Sequence, residues 1–390
     1  MERCSSTRVR PFGPRIRAVL GTLVVFGAAV LPRAAEAQEA WGYEQDLRFT
    51  YEFDDNVNEE LVDPVRSQVA RVAYRGDLRW GASGQQRLTL SYQGGFKRHF
   101  GFVGTDDLEL ANQFVNEGTV GYLRRVSERV ALGGQTGIKN RKWTDDFFLI
   151  NEDGFTRYMG SANAVIDLLP LAEDREARFE VGARASAVDF ENLNAVFGSD
   201  GVGGFASLAK EFGPDLQTTW SYSLDRYRYD GRAVIEPTDP IPGNVFLSPT
   251  RERQEDLLHE LGMQLTWLGD VSIQGDYRFR YNDSNSFGFS YLSHSMGLQV
   301  LRRLPWEMLL QLYGRVELKT FSEPVPNLEG AGTINTGDAA ADNVLLVRLV
   351  KDVSTHYSIE ARYGRYRNES ISLNDFYTKN VYSIGMNYRP

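Results

Sequence analysis

Cysteine is nearly absent: Cys4 is the only one in 390 residues. Beyond it the chain has no thiol, which excludes disulfides, thiolate zinc sites, a cysteine nucleophile and a lipid anchor on a mature N-terminal cysteine. Long apolar runs are missing too. The longest spans Ala18 to Leu31, and no later stretch reaches the roughly 18–20 residues that a membrane-crossing helix needs. There is no surplus of positive charge. The formal net charge is −9, which disfavours nucleic acid as a partner because phosphates would be repelled. Catalytic signatures are also absent: no Gly-rich phosphate loop opening a helix, no H-E-x-x-H and no G-x-S-x-G.

The first 37 residues differ from the rest. Arg8, Arg10, Arg15 and Arg17 precede the apolar run, and Ala35-Glu36-Ala37 sets small residues at the two positions a signal peptidase reads. This is the design of a cleaved secretory signal, so residues 1–37 are expected to be removed and 38–390 to form the mature domain.

What remains is rich in rings, with 12% aromatic residues, and it alternates. Trp306, Met308, Leu310, Leu312, Val316 and Leu318 fall on one set of positions; Glu307, Gln311, Arg315 and Glu317 fall on the other. A period of two marks a strand whose faces meet different surroundings. The same split recurs in Val271–Tyr281, Leu88–Phe100 and Ala70–Trp80. Full charges on one face and large apolar side chains on the other predict lipid outside and water inside, since a cation facing lipid at the midplane costs roughly 2–4 kcal/mol.

Sixteen strands are predicted. Upward strands start near Trp41, Gln86, Arg129, Arg175, Asp215, Asp270, Trp306 and Thr355, and downward strands near Ser67, Asn112, Gly154, Gly201, Gln254, Phe287, Ala341 and Asp375. Their connections alternate. Short turns such as Phe212-Gly213-Pro214 and Leu268-Gly269-Asp270 are placed at one rim. Longer polar segments, Asp230 to Arg253 and Ser322 to Ala340 among them, are placed at the other; only Asn282 to Ser286 is short within that class. The expectation is an all-β fold: a transmembrane, antiparallel, up-and-down barrel in a Gram-negative outer membrane, with its short turns in the periplasm. A soluble solenoid would show a fixed repeat length, and a string of β-sandwiches would show linkers about every hundred residues; neither is visible.

On this reading Arg71, Arg75, Arg79, Lys97, Arg278, Arg280, Arg315 and Glu317 are candidate lumen charges. Lys139, Arg141, Arg184, Lys319, Asp77, Glu117, Glu180, Asp276, Glu307 and Glu360 are predicted to face the same way. Such charges either pair across strands or select charged solutes. Acidic pairs such as Asp54-Asp55, Glu59-Glu60 and Asp106-Asp107 are predicted in the long loops, where they would keep a rim solvated or share cations with lipopolysaccharide. No metal and no cofactor is expected.

Two segments carry a resemblance. Phe49-Thr50-Tyr51-Glu52-Phe53-Asp54-Asp55-Asn56-Val57, and Ser372 to Asn380 followed by Val381 to Arg389, resemble the opening and the last hairpin of the beta-barrel porin-2 group of Gram-negative outer-membrane proteins. The resemblance implies an outer-membrane pore or a role in surface-polymer secretion, and it brings no catalytic residues. Tyr388 is expected to serve as the terminal aromatic read by the barrel-assembly machinery. A homo-oligomer is compatible with the pattern.

The function expected is a porin-like channel for small hydrophilic solutes, or assistance to polymer export, with no bond made or broken. An adhesin acting through the long loops is the alternative. A barrel hydrolase is the weakest reading: His294-Ser295 are adjacent on a strand and point to opposite faces, and Asp145-Asp146 have no histidine in their loop.

Overall fold

The computed structural model describes residues 40–56, 66–82, 85–103, 112–143, 154–168, 176–190, 198–235, 248–323, 342–369 and 376–390. The predicted signal segment and most of the predicted long connections lie outside these residues. The described chain forms sixteen strands. They are β1 Ala40–Asp54, β2 Arg66–Ala82, β3 Gln86–Val103, β4 Gln113–Arg125, β5 Val130–Trp143, β6 Phe155–Leu168, β7 Ala177–Phe190 and β8 Ser199–Glu211. The second half comprises β9 Leu216–Ile235, β10 Ser248–Trp267, β11 Val271–Ser284, β12 Tyr291–Leu304, β13 Met308–Phe321, β14 Asp342–Asp352, β15 Tyr357–Glu369 and β16 Phe376–Tyr388.

Each strand pairs antiparallel with its sequence neighbours, and β1 pairs with β16, so the sheet closes without an edge. Closure matters in lipid, where an unpaired strand edge would leave N–H and C=O groups with no water to bind. The strands are also strongly tilted. Hydrogen-bond partners traced from Ala40 lead through Gly81, Arg87 and Leu123, and on around the wall to Ser293 and Lys319. The path begins at the bottom of β1 and ends near the top of β13. A tilt of this kind is what barrel closure demands.

Register assigns every strand residue to one of two faces. Phe49, Val72, Phe96 and Phe114 are successive partners on one face; Thr50, Arg71, Lys97 and Gln113 are partners on the other. The large exposed apolar side chains of the strands, Tyr51, Leu90, Trp220, Leu261, Met296 and Ile384 among them, belong to the first set. Rings pair on that outer face, as Phe96 with Phe114 at 4.6 Å and Tyr363 with Tyr382 at 5.1 Å between centroids. An exterior this apolar has no place in water, and it defines a transmembrane β-barrel.

The short turns are close to their predicted places. Gly213 supplies the positive φ of the β8–β9 turn, at 87°. The β12–β13 turn departs from expectation. Trp306 and Glu307 lie in the left-handed region, at φ 62° and 58°, and β13 begins only at Met308. Pro305 has no N–H to give a ladder, so the chain turns there, and alternation alone could not see that. Trp306 therefore does not belong to the lipid-facing row, nor Glu307 to the lumen-facing one. Trp306 is instead an exposed turn tip (78%) at the short-turn rim.

The segment Asp230 to Arg253 is corrected more deeply. It was expected to be loop, but β9 continues to Ile235 and β10 starts at Ser248; only 236–247 lies outside the described residues. Register shifts between Pro249 and Arg253, and between Arg253 and Glu255, absorb the proline and break the two-residue rhythm, which hid the strand. The extension is braced by the short β11–β12 connection. Phe287 N–H donates to the Val234 carbonyl (2.9 Å), and Val234 N–H donates to Ser286 Oγ (3.1 Å).

Candidate functional site: the lumen wall and its closing seam

The concave face is the one that carries the charges. A single recess takes residues from β3 through β8, and a recess shared by so many successive strands of a closed sheet opens inward. Apart from Tyr122 and Gly134, its lining residues share one face by register. All eight candidate lumen charges share that face: Arg71, Arg75, Arg79, Lys97, Arg278, Arg280, Arg315 and Glu317. The other charges predicted to point inward do so as well, with Glu307 as the exception.

They are not brought together into one cluster. Arg71 bonds Glu52, Arg75 bonds Asp77 and Arg79 bonds Glu44 on the β1–β2 wall, at 2.9, 2.7 and 3.3 Å. Glu260 holds both Arg278 and Arg280 on the opposite side, at 3.5 and 2.8 Å. Arg315 donates to Ser295 Oγ, and Glu317 accepts from Ser293 Oγ. The acids Glu52, Asp77 and Glu317 are buried, whereas the side chains of Arg71, Arg75 and Arg79 remain 49%, 65% and 55% exposed.

One bridge spans three strands. Arg184 on β7, Gly203 on β8 and Asp225 on β9 lie in one register row. Arg184 Nε donates to Asp225 Oδ1 (2.7 Å) and its Nη2 to Ser223 Oγ (2.9 Å), passing over the glycine between them. A Cβ on Gly203 would land inside the Asp225 carboxylate. Gly203→Ala is therefore expected to break the bridge and, with the Leu224 carbonyl oxygen only 2.6 Å from the new Cβ, to cost at least about 1–3 kcal/mol, the worth of a hydrogen bond to a charged group. The urea midpoint of the refolded barrel measures it. Asp225→Asn added to Gly203→Ala should cost little more, because both act on the same contact.

The closing seam explains the terminal motifs. Eight residue pairs join β1 to β16, from Leu47–Tyr388 to Asp54–Val381. At the long-loop end, Asp55 accepts from Asn380 N–H (2.6 Å) and Asn380 Nδ2 (2.7 Å), while Asp55 N–H donates to the Asn380 carbonyl (3.2 Å). Lys379 bonds Asp54 at 3.0 Å, and Asn56 Nδ2 donates to the Thr378 carbonyl (3.2 Å). Lower down, Arg48 Nε donates to Asn387 Oδ1 (2.8 Å); Asn387 is fully buried and bonds Ser358 on β15 (3.2 Å). Asp54 and Asp55 were expected in an acidic loop. They are instead the fastening between the first and last strands, held by hydrogen bonds that only the closed sheet can supply.

Several lumen residues were not foreseen. Arg48, Arg348, Arg362, Glu260 and Asp225 all face inward. β14 hid Arg348 because Val344, Leu346 and Val350 also point inward, so the strand is apolar on both faces. For the other four, the two-residue rhythm already used for their neighbours was a sufficient signal. His294 and Ser295 point to opposite faces, with His294 Nδ1 bonded to Tyr277 Oη outside (2.8 Å) and Ser295 inside.

No protein-family model and no curated protein matches the chain. Solved structures do resemble it in fold. OmpT of Vibrio cholerae, expressed in the outer membrane, is 12% identical with a TM-score of 0.44 and covers 92% of this chain and 99% of its own. OccAB2 of Acinetobacter baumannii is 11% identical, TM-score 0.42, covering 90% and 98%. The outer membrane protein OpdK of Pseudomonas aeruginosa is 10% identical, TM-score 0.42, covering 90% and 99%.

Proposed function

We propose that the protein is an outer-membrane channel through which small hydrophilic solutes diffuse passively, with no bond made or broken. One observation carries this reading: a closed sixteen-strand wall whose concave face is charged and whose convex face is apolar. Eight-stranded barrels are filled by their own side chains, whereas sixteen strands leave room for water. At about 4.8 Å between strands and a tilt near 40°, a circular wall of sixteen strands has a backbone radius of roughly 16 Å. The short turns would face the periplasm, the outer belt would meet lipid and lipopolysaccharide, and the last strand through Tyr388 would engage the assembly machinery. Export of a surface polymer would use the same water-filled path.

Refolded protein in a planar bilayer is expected to give stepwise, ohmic currents that scale with salt. Bilayers that stay closed at every voltage, with the barrel shown to be inserted, would end the channel reading.

A further inference from the structure

The inner wall is not electrically uniform. From β3 to β8 it carries Arg87, Lys97, Lys139, Arg157, Arg178 and Arg184, with further cations at its ends, against Glu117, Asp167, Glu180 and, at its own end, Glu211. From β9 to β12 that surplus is gone, with Asp225, Asp256, Glu260 and Asp276 against Arg278, Arg280 and Arg303. Lys139 and Arg157 even stand directly opposite on adjacent strands, as do Arg71 and Lys97. Like charges in that position cost stability, which Glu117 beside Lys139 (3.6 Å) and Glu52 beside Arg71 (2.9 Å) offset in part.

The recess of about 400 Å³ lies in this basic wall. Its depth comes from glycines that face inward. Thr89 leans over Gly121, Asn163 over Gly133 and the Phe205 ring over Gly182; a Cβ at these positions would fall 2.7, 2.6 and 2.6 Å from the covering atoms. Asn163 is held in place by Glu180, to which its Nδ2 donates at 2.6 Å. Arg184 is already spent on Asp225. Three other groups are unspent. Among the described residues, no ion pair engages Arg87, and no side-chain hydrogen bond engages Gln135 or Ser161, although all three line the recess. A guanidinium, an amide and a hydroxyl thus line one recess together with an aromatic ring.

We propose that this recess is a binding site for hydroxylated solutes that carry an oxyanion, a carboxylate or a phosphate. Arg87 takes the anion through its forked N–H groups, Gln135, Ser161 and Asn163 take hydroxyls, and Phe205 packs against the carbon skeleton. The site rests on the channel reading for access, since solute reaches it through the lumen.

Binding to detergent-solubilised full-length barrel at low salt tests it without requiring current. Gluconate, acetate and sorbitol are the probes: the first has both features, the others one each. Gluconate is expected to bind at least about fivefold tighter than either. Arg87→Gln should abolish the advantage over sorbitol, and Gln135→Ala should weaken gluconate and sorbitol together. Gluconate no tighter than acetate, or gluconate binding indifferent to Arg87→Gln, overturns the site. A barrel that passes no current yet binds gluconate through Arg87 would defeat the channel reading and uphold the site. A barrel that conducts but shows no gluconate preference would do the reverse.

Discussion

Leu312→Arg is expected to lower the folding free energy of the barrel in bilayers by roughly 2–4 kcal/mol, the cost of a guanidinium facing hydrocarbon near the midplane. Leu312 is the informative position because it lies in the middle of β13 on the outer face, 39% exposed in the protein alone, between Leu310 and Gly314. Gln311 and Tyr313 flank it on the opposite face. The matched control is Gln299→Arg on the adjacent strand, on the inner face with the uncharged Gln274 and Tyr313 opposite it, which should cost less than about 0.5 kcal/mol. Reversible urea unfolding from lipid vesicles measures both. Equal costs at the two positions would mean that the two faces do not meet different solvents, and the transmembrane assignment would fall with them.

The second large effect is expected at the seam. Asp55→Ala removes the acceptor of two hydrogen bonds from Asn380, one from its backbone and one from its side chain. Hydrogen bonds to a carboxylate are each worth about 1.5–3 kcal/mol, so a loss of roughly 3 kcal/mol is expected after water makes partial replacement. The change should show as a lower temperature at which the folded, fast-migrating form converts to the unfolded form on gels. Asp55→Asn keeps one acceptor and should fall in between. Adding Asn380→Ala to Asp55→Ala should cost only the bond that Tyr363 Oη donates to Asn380 Oδ1 (2.9 Å), because the side-chain contacts of Asp55 are already gone. Unfolding of Asp55→Ala that matched the unaltered protein would deny the seam its fastening role.

How much of this was legible in the sequence follows from physics. Strand number and facing were readable because a strand between lipid and water must alternate, and β2, β3, β11 and β13 do so over most of their length. Arg71, Arg278 and Arg315 could be placed from that rhythm alone. The rhythm fails where the surroundings stop differing. β14 is apolar on both faces, so Arg348 looked like an intrusion. The outer ends of β9 and β10 rise beyond the apolar belt and carry polar residues on both sides, so they read as loop. Partnership was not legible at all. Nothing local distinguishes Asp54-Asp55 from the acidic pairs of the long loops; their role depends on Lys379 and Asn380, which lie more than three hundred positions away in the chain. The recess was hidden for the same reason. Gly121, Gly133 and Gly182 are ordinary strand glycines until the register brings them onto one stretch of the inner wall, on β4, β5 and β7.

The tilt of the wall has a consequence for any solute that enters. Residues linked by hydrogen bonds around the barrel climb from Ala40 near one rim to Lys319 near the other, so bonded neighbours such as Asp276, Gly297 and Arg315 sit at different depths. Charges along the passage are therefore wound like a screw thread and not stacked like hoops. A molecule with a carboxylate at one end and hydroxyls along its length would turn as it descends, and its mirror image would find the thread cut the wrong way.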